Sequence, residues 1–354
     1  MRSRGPAAGL SAGGGGAMAA AAQPAAAPAY AASLQDIRAA AERIAGHAHV
    51  TPVMTCSTLD ALAGAELTFK CETLQKGGAF KFRGALNAVR SLSPEQAARG
   101  VVTHSSGNHA SALALAARVC GCKAYIVVPR NAPAVKLAAV KEYGGELILC
   151  EPTLADREAT AARVAAETGA TFVPPYDCAP APELDVIVVP VSGGGMIAGV
   201  ALAAKALRPG IAVVAAEPSG SNGAADVAAS KAAGRLVADM PKPLTIADGL
   251  QARLGELTWP VVRDCVDGVV VVSDAEIVAA MRLIMERMKL VVEPSGAAGL
   301  AAVLSPGFAA AAAAGGATAR PGAALRVGVV LCGGNLDFDA RGGFWREENW
   351  RPAG

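Results

Sequence analysis

Short apolar runs alternate with alanine-rich, helix-forming stretches along most of the chain, and that alternation restricts the fold more than any other feature. Residues 101–103 lead to a helix from Gly107, residues 124–128 to a helix from Ala134, and residues 146–150 to a helix from Leu154. A second series runs from 186–191 through a glycine turn and a helix reaching Lys205 to 212–216, and then to 269–272. Ser273 and Glu276 form a capping box for the next helix, where Ile277, Met281, Ile284, Met285 and Met288 recur at helical spacing, which assigns the methionines to core packing. Repeated strand–helix–strand units mean a parallel sheet, and two such series imply two α/β lobes.

At the amino end, ordered structure is expected from Ser33. It can cap a helix with Leu34, Ile37, Ala41 and Ile44 on one face before Gly46 stops it, and Asp36 completes a capping box. Residues 1–32 are rich in Ala, Gly and Pro, carry Arg2 and Arg4 and contain no acid, as low-complexity disorder or a transit peptide would. The first alternative goes with a cytoplasmic protein, the second with an organellar one. Six consecutive alanines flanked by Gly and Pro interrupt the alternation between 305 and 324, a pattern that predicts a loop insertion before the final strand at 327–331.

With aromatic residues at only 4%, the core must be filled by Val, Leu, Ile and Ala. A net charge of +2, with no basic cluster interleaved with aromatics, argues against nucleic acid or an anionic membrane as a partner. Eight cysteines without C-x-x-C spacing suggest a reducing compartment rather than a zinc site. No apolar run approaches the ~18 residues that a membrane span needs.

Three glycine-rich turns directly follow apolar runs: Ser105-Ser106-Gly107-Asn108-His109, Ser192-Gly193-Gly194-Gly195 and Cys332-Gly333-Gly334-Asn335. In a parallel sheet, ligands collect at the carboxyl ends of strands, where backbone N–H groups and helix amino termini face an anion. Three such turns converging would make a pocket for something phosphorylated, although each alone is as readily a tight turn. Gly193, Gly195 and Ala198, followed by Glu217 at the end of the next strand, also fit a dinucleotide fingerprint, which leaves a nicotinamide enzyme as an alternative. Lys81 lies between Phe80 and Phe82, two aromatics that would desolvate its amine and supply the neutral form that attacks an aldehyde. The bland reading is a surface lysine with its stem along apolar neighbours.

Taken together these residues resemble the fold type II pyridoxal phosphate enzymes, most closely the eukaryotic serine racemases beside the serine and threonine dehydratases. The matching text is the run from Ala79 through Lys81 to Ala88, the run from Thr103 to His109, Ala124 to Pro129, Thr245-Ile246-Ala247-Asp248-Gly249 and Met288-Lys289-Leu290. The resemblance extends from about Ser33 to Asp337 and implies the two-domain, tryptophan synthase β-like α/β fold, with parallel twisted sheets flanked by helices. It implies pyridoxal 5'-phosphate held on Lys81 as a Schiff base, with Phe80 as hydrophobic flank and Ser192, Gly193, Gly194, Gly195 and Met196 as the phosphate loop. Asn108 matches the residue at the ring hydroxyl, and Cys332 the position facing the pyridine nitrogen. A neutral partner at that nitrogen favours elimination over transamination.

Ser106 matches the acid/base on the face opposite Lys81, and two bases on opposite faces are what racemisation needs. The substrate carboxylate would sit on the turn of Ser105, Ser106, Gly107, Asn108 and His109, and loss of the hydroxyl gives pyruvate from serine or 2-oxobutyrate from threonine. Glu217, Ala224 and Asp226 match the family's divalent cation site, suited to Mg2+, with Ca2+ or Mn2+ as alternatives, across about three extra residues relative to the family. Homodimerisation is implied by the family, and a nucleotide activator is left open.

One departure concerns residues 174–185. Relatives carry a Gly-Gln-Gly-Thr segment and a helix there, whereas this proline-rich link is too short for a crossover helix. The alternative reading is therefore a catalytically impaired binding protein. Domains are expected at 33–98 with 177–340 for the large lobe and 99–176 for the small lobe, with the active site between them.

Overall fold

The computed structural model describes residues 30–132, 134–173, 184–318 and 323–336. The chain begins with α1 (Leu34–Ile44), β1 (Val53–Met54), α2 (Ser57–Ala63), β2 (Glu66–Cys71), α3 (Lys81–Arg90) and α4 (Pro94–Arg99). There follow β3 (Val101–His104), α5 (Asn108–Cys120), β4 (Ala124–Pro129), α6 (Ala134–Glu142), β5 (Glu146–Cys150), α7 (Leu154–Thr168) and β6 (Thr171–Phe172). The last part holds β7 (Val186–Pro190), α8 (Gly195–Leu207), β8 (Ala212–Pro218), α9 (Asp226–Ala233), α10 (Trp259–Cys265) and β9 (Gly268–Val272). It ends with α11 (Asp274–Leu283), α12 (Pro294–Leu304), α13 (Phe308–Ala314) and β10 (Arg326–Leu331).

The strands form two sheets, one of six in the order β1-β2-β10-β7-β8-β9 and one of four in the order β5-β4-β3-β6. All described pairings are parallel except that of β1 with β2. In the six-stranded sheet, β7 and β8 are buried at every position. That is why both read as unbroken apolar runs: helices cover each face of a parallel sheet. Phe69, Val188, Val214 and Val329 pack toward α11 and α12 on one face, while Ile187, Val189 and Val213 pack toward α8 and α10 on the other.

The capping boxes expected at Ser33–Asp36 and Ser273–Glu276 are present. Met281 and Met288 are core residues, but α11 gives way to a π-helical turn at Ile284–Met288 before Lys289, the one non-glycine with positive φ among the described residues. The segment expected as a loop insertion at 305–324 contains α13, with Phe308, Ala311 and Ala312 buried. The correction has a simple cause: alanine is the best helix former, and Phe308 gives the short helix an anchor. Tyr30, in a stretch expected to be disordered, donates to Asp264 Oδ2 at 3.3 Å and packs on the large-sheet core; residues 1–29 lie outside the described residues.

Two further findings bear on the lobes. The apolar stripe of α3, namely Phe82, Ala85, Leu86 and Val89, joins the core of α5 and the four-stranded sheet, although α3 lies in the stretch assigned to the large lobe. Strands β6 and β7 belong to different sheets, so the link between them passes from lobe to lobe and needs no crossover helix. Residues 174–183 of that link lie outside the described residues. Among those described, no single helix is long and apolar enough to cross a membrane.

Candidate functional site

Strands β2, β10 and β7 are adjacent and parallel, so their carboxyl ends open on one edge of the sheet. The chain leaving β2 reaches Lys81, the chain leaving β10 begins at Cys332, and the chain leaving β7 forms the Ser192 turn. The first two are stitched together, Phe80 N donating to Cys332 O at 3.0 Å and Gly334 N to Gly78 O at 2.9 Å, and Phe80 and Cys332 share a core cluster with Val191 and Met196 beside the third. Gly78 has φ +71, and a Cβ there would lie 2.2 Å from Asn335 Oδ1, so a side chain would break the junction.

Lys81 opens α3, its Nζ 4.5 Å from the centroid of the Phe80 ring. Burial lowers its pKa to about 8, opposed by the charges of Cys332 and Glu293. Near pH 7 such a value leaves about one amine in ten neutral, against fewer than about one in a thousand at the ordinary lysine value. Two residues on, Arg83 clamps Glu72 through Nε to Oε2 at 2.8 Å and Nη2 to Oε1 at 2.7 Å, and Glu72 is fully buried. The clamp fixes the first turn of α3 and hence the base of Lys81.

In the Ser192 turn, Ser192 Oγ donates to Ala252 O and accepts from Ala252 N, both at 2.9 Å. Gly193 O accepts from Thr258 Oγ1 at 2.8 Å and from Gly255 N at 3.3 Å. Gly194 has φ +86, and a Cβ there would stand 2.6 Å from both Leu254 Cδ1 and Thr258 Oγ1. Gly195 and Met196 open α8, where first-turn N–H groups have no carbonyl within the helix and the helix dipole favours an anion. A backbone cradle shaped this way fits a phosphate group.

The Ser105–His109 turn comes from the other sheet, between β3 and α5, and Ser105, Ser106, Gly107 and Asn108 are half-buried. Gly107 N donates to Ser105 Oγ at 3.4 Å. His109 is buried, with Nε2 against Val173 O at 2.9 Å and Nδ1 without a partner. Burial, and then the Lys81 charge, lower its pKa to about 3, so the ring is neutral and faces the lysine.

Sequence reasoning missed Glu293, and it placed Asn335 in a pocket-forming turn without giving it a role. Glu293 is 3% exposed, and its carboxylate accepts from Asn108 Nδ2 at 2.8 and 3.1 Å and from Asn335 N at 3.1 Å. Asn335 Nδ2 donates to Asn108 Oδ1 at 2.9 Å and to Gly77 O at 2.8 Å. The available signal was an acid between an apolar run and Pro294 at the first turn of a helix. Cys332 is buried, and its Sγ donates to Ser295 O at 3.4 Å.

Glu217 and Asp226 lie together at the amino end of α9. Glu217 accepts from Val227 N and Ala228 N at 2.8 Å each, and Asp226 Oδ2 from Leu254 N at 2.8 Å. Burial and then the neighbouring Asp226 charge push the Glu217 carboxyl up to about 7, the backbone donors opposing them, and burial raises Asp226. Glu217 is thus turned onto the amino end of α9 and does not stand open at the strand end as the ribose-binding acid of a dinucleotide site does, which argues against the nicotinamide alternative. Two buried carboxylates beside Ala224 do suit a hard cation, although no cluster of three or more His, Cys, Asp or Glu residues that could hold a metal occurs among the described residues.

Residues 44–333 match the family described as Pyridoxal-phosphate dependent enzyme. The serine racemase of Arabidopsis thaliana is 50% identical over 335 residues, covering 89% of this chain and 96% of that protein. The structure of maize serine racemase superposes with a TM-score of 0.81 at 49% identity, covering 87% of this chain and 95% of that one. The crystal structure of a T.th. threonine deaminase superposes with a TM-score of 0.76 at 38% identity, covering 87% of this chain and 99% of that one.

Proposed function

The chain belongs to the pyridoxal-phosphate dependent enzymes, and from that membership we propose that it is a serine racemase that also acts as an L-serine and L-threonine ammonia-lyase. The observation that carries the reading is a buried lysine of lowered basicity at the point where the chains leaving β2, β10 and β7 meet. Bound pyridoxal phosphate supplies an aldehyde for the lysine and an electron sink for the charge left when the α-proton departs.

The chain's own residues do the rest. Lys81 holds the cofactor and moves the α-proton on one face; Ser106 gives or takes a proton on the other. The N–H groups of Gly193, Gly194, Gly195 and Met196, with Ser192, hold the phosphate. Phe80 would flank the ring, Asn108 would bond its hydroxyl, and Cys332 would meet its nitrogen as a neutral partner. The turn of Ser105, Ser106, Gly107, Asn108 and His109 would offer backbone N–H groups at the start of α5 to the substrate carboxylate, Gly107 N giving up its long bond to Ser105 Oγ. Once the α-proton is gone, a proton returned on the opposite face inverts serine, whereas loss of the β-hydroxyl leads to pyruvate, or to 2-oxobutyrate from threonine.

Glu217, Asp226 and the Ala224 carbonyl would hold Mg2+, Ca2+ or Mn2+ as hard oxygen ligands. Asp226 also secures Leu254, whose loop braces the Ser192 turn, so an ion there would stiffen the phosphate cradle. A homodimer open to nucleotide activation completes the reading, supported by resemblance alone; a cytoplasmic location is supported by the cysteine usage, with an organellar one as the alternative if residues 1–32 are a transit peptide.

The test is the visible spectrum of the purified protein, followed by borohydride reduction, peptide mapping and a pyruvate assay on L-serine. A band that reduction abolishes, a label on Lys81 and released pyruvate are expected. A band without turnover would make the protein a binder only, and no band would remove the reading.

A further inference from the structure

Glu293 occupies the N-cap position of α12, yet its side chain makes no capping bond. Ser, Thr, Asp or Asn would cap better, so the helix does not explain a glutamate there. The carboxylate turns instead into the pocket, where room for it depends on glycine: a Cβ on Gly333 would stand 2.3 Å from Oε1. Burying an ionised carboxylate costs several kcal/mol unless it is paired and hydrogen-bonded. Asn108 and Asn335 supply neutral donors, and Lys81 supplies positive charge in the same pocket. The Asn108 contact also crosses from the turn after β3 to the lobe of the six-stranded sheet.

We propose that Glu293 is a positioning residue with two linked tasks: it keeps a proton on the Lys81 nitrogen while the cofactor is attached, and it aims the Asn108 amide at the cofactor's ring oxygen. The proposal rests on the cofactor assignment made above. The titratable groups facing Lys81 are His109 from α5, Cys332 from the end of β10 and Glu293 from α12. His109 is neutral and only opposes a positive charge. Cys332 and then Glu293 are the groups whose negative charge opposes loss of the proton, and Glu293 is the one whose carboxylate also holds Asn108. A carboxylate near a cationic nitrogen raises its pKa, and removing the charge lowers it.

The test is a titration of the visible band of the holoenzyme across the neutral-to-alkaline range in wild type and Glu293→Gln. The midpoint should fall by about one pH unit, a tenfold loss of proton affinity, with cofactor content retained. Glu293→Asp keeps the charge but retracts it by one methylene and should shift the midpoint in the same direction by less; it decides the matter if the glutamine variant does not fold. Equal midpoints, or bands equally insensitive to pH, overturn the proposal. A wild-type protein without any band would overturn the cofactor assignment instead, so the two failures are distinguishable.

Discussion

The turn after β7 and the turn after β3 have the same plan, a parallel strand running into the amino end of a 13-residue helix, but they are supported differently. Ser192 and Gly193 are bonded on both sides to residues 252–258, and Gly194 is enclosed by Leu254 and Thr258. The Ser105–His109 turn is half-buried and hangs from a thinner sheet whose β5 and β6 are partly exposed. On the function proposed above, the first would hold one group permanently and the second would leave room for a molecule that must enter and leave. Lys81 stands between them, on a helix packed against α5 yet tied through Phe80 to Cys332.

The largest effect that would sharpen this contrast comes from the open turn. Ser106→Ala should leave cofactor affinity unchanged and retain most L-serine elimination, while D-serine formation falls by about 10²- to 10⁴-fold, the usual worth of one positioned acid/base. Chiral chromatography beside a pyruvate assay reads both products. Equal loss of the two activities would sink the two-face account.

The closed turn should respond in the opposite way. Gly194→Ala places a methyl where φ is +86 and two side-chain atoms lie at 2.6 Å. Left-handed backbone and overpacking together cost about 3 kcal/mol, which is about 100-fold in cofactor affinity. Spectral titration with pyridoxal phosphate measures it, and an affinity within about threefold of wild type would show the cradle to be as adaptable as its counterpart.

The difference between the turns was only half legible in the sequence. The glycines after the apolar runs and the Ser33 and Ser273 caps are local signals, and the structure places each of them on the expected element; of the two aromatics beside Lys81, Phe80 meets its amine while Phe82 packs in the core under α5. β2 escaped notice although Leu67, Phe69 and Cys71 alternate with exposed or half-exposed neighbours, and without β2 nothing fixes which strand ends meet. Glu293 was invisible, and Asn335 lacked a role in its turn, for a different reason: their roles arise from contacts with Asn108, 185 and 227 residues away in sequence. Residues 305–324 misled because a run of alanines between glycines reads as low complexity, while burial of Phe308 makes it a packed helix.

The smallest expected effect probes how much support the open turn does receive. Phe172 on β6 is 46% exposed, and its ring stacks on His104, centroids 5.4 Å apart, one residue before Ser105. Because the ring is half in solvent, Phe172→Ala removes little buried surface and should cost about 1 kcal/mol of stability, the scale of one aromatic pair. Because His104 leads directly into the turn, loosening it should raise the KM for L-serine by about twofold to fivefold, as an energy below about 1 kcal/mol does. Cofactor affinity should not move, since β6 pairs with β3 in the four-stranded sheet, whereas the Ser192 turn is braced by Ala252 and Thr258. A fall in cofactor affinity matching the change in KM would mean that the two turns share their support, and the division between a fixed cradle and an adjustable substrate turn would fail.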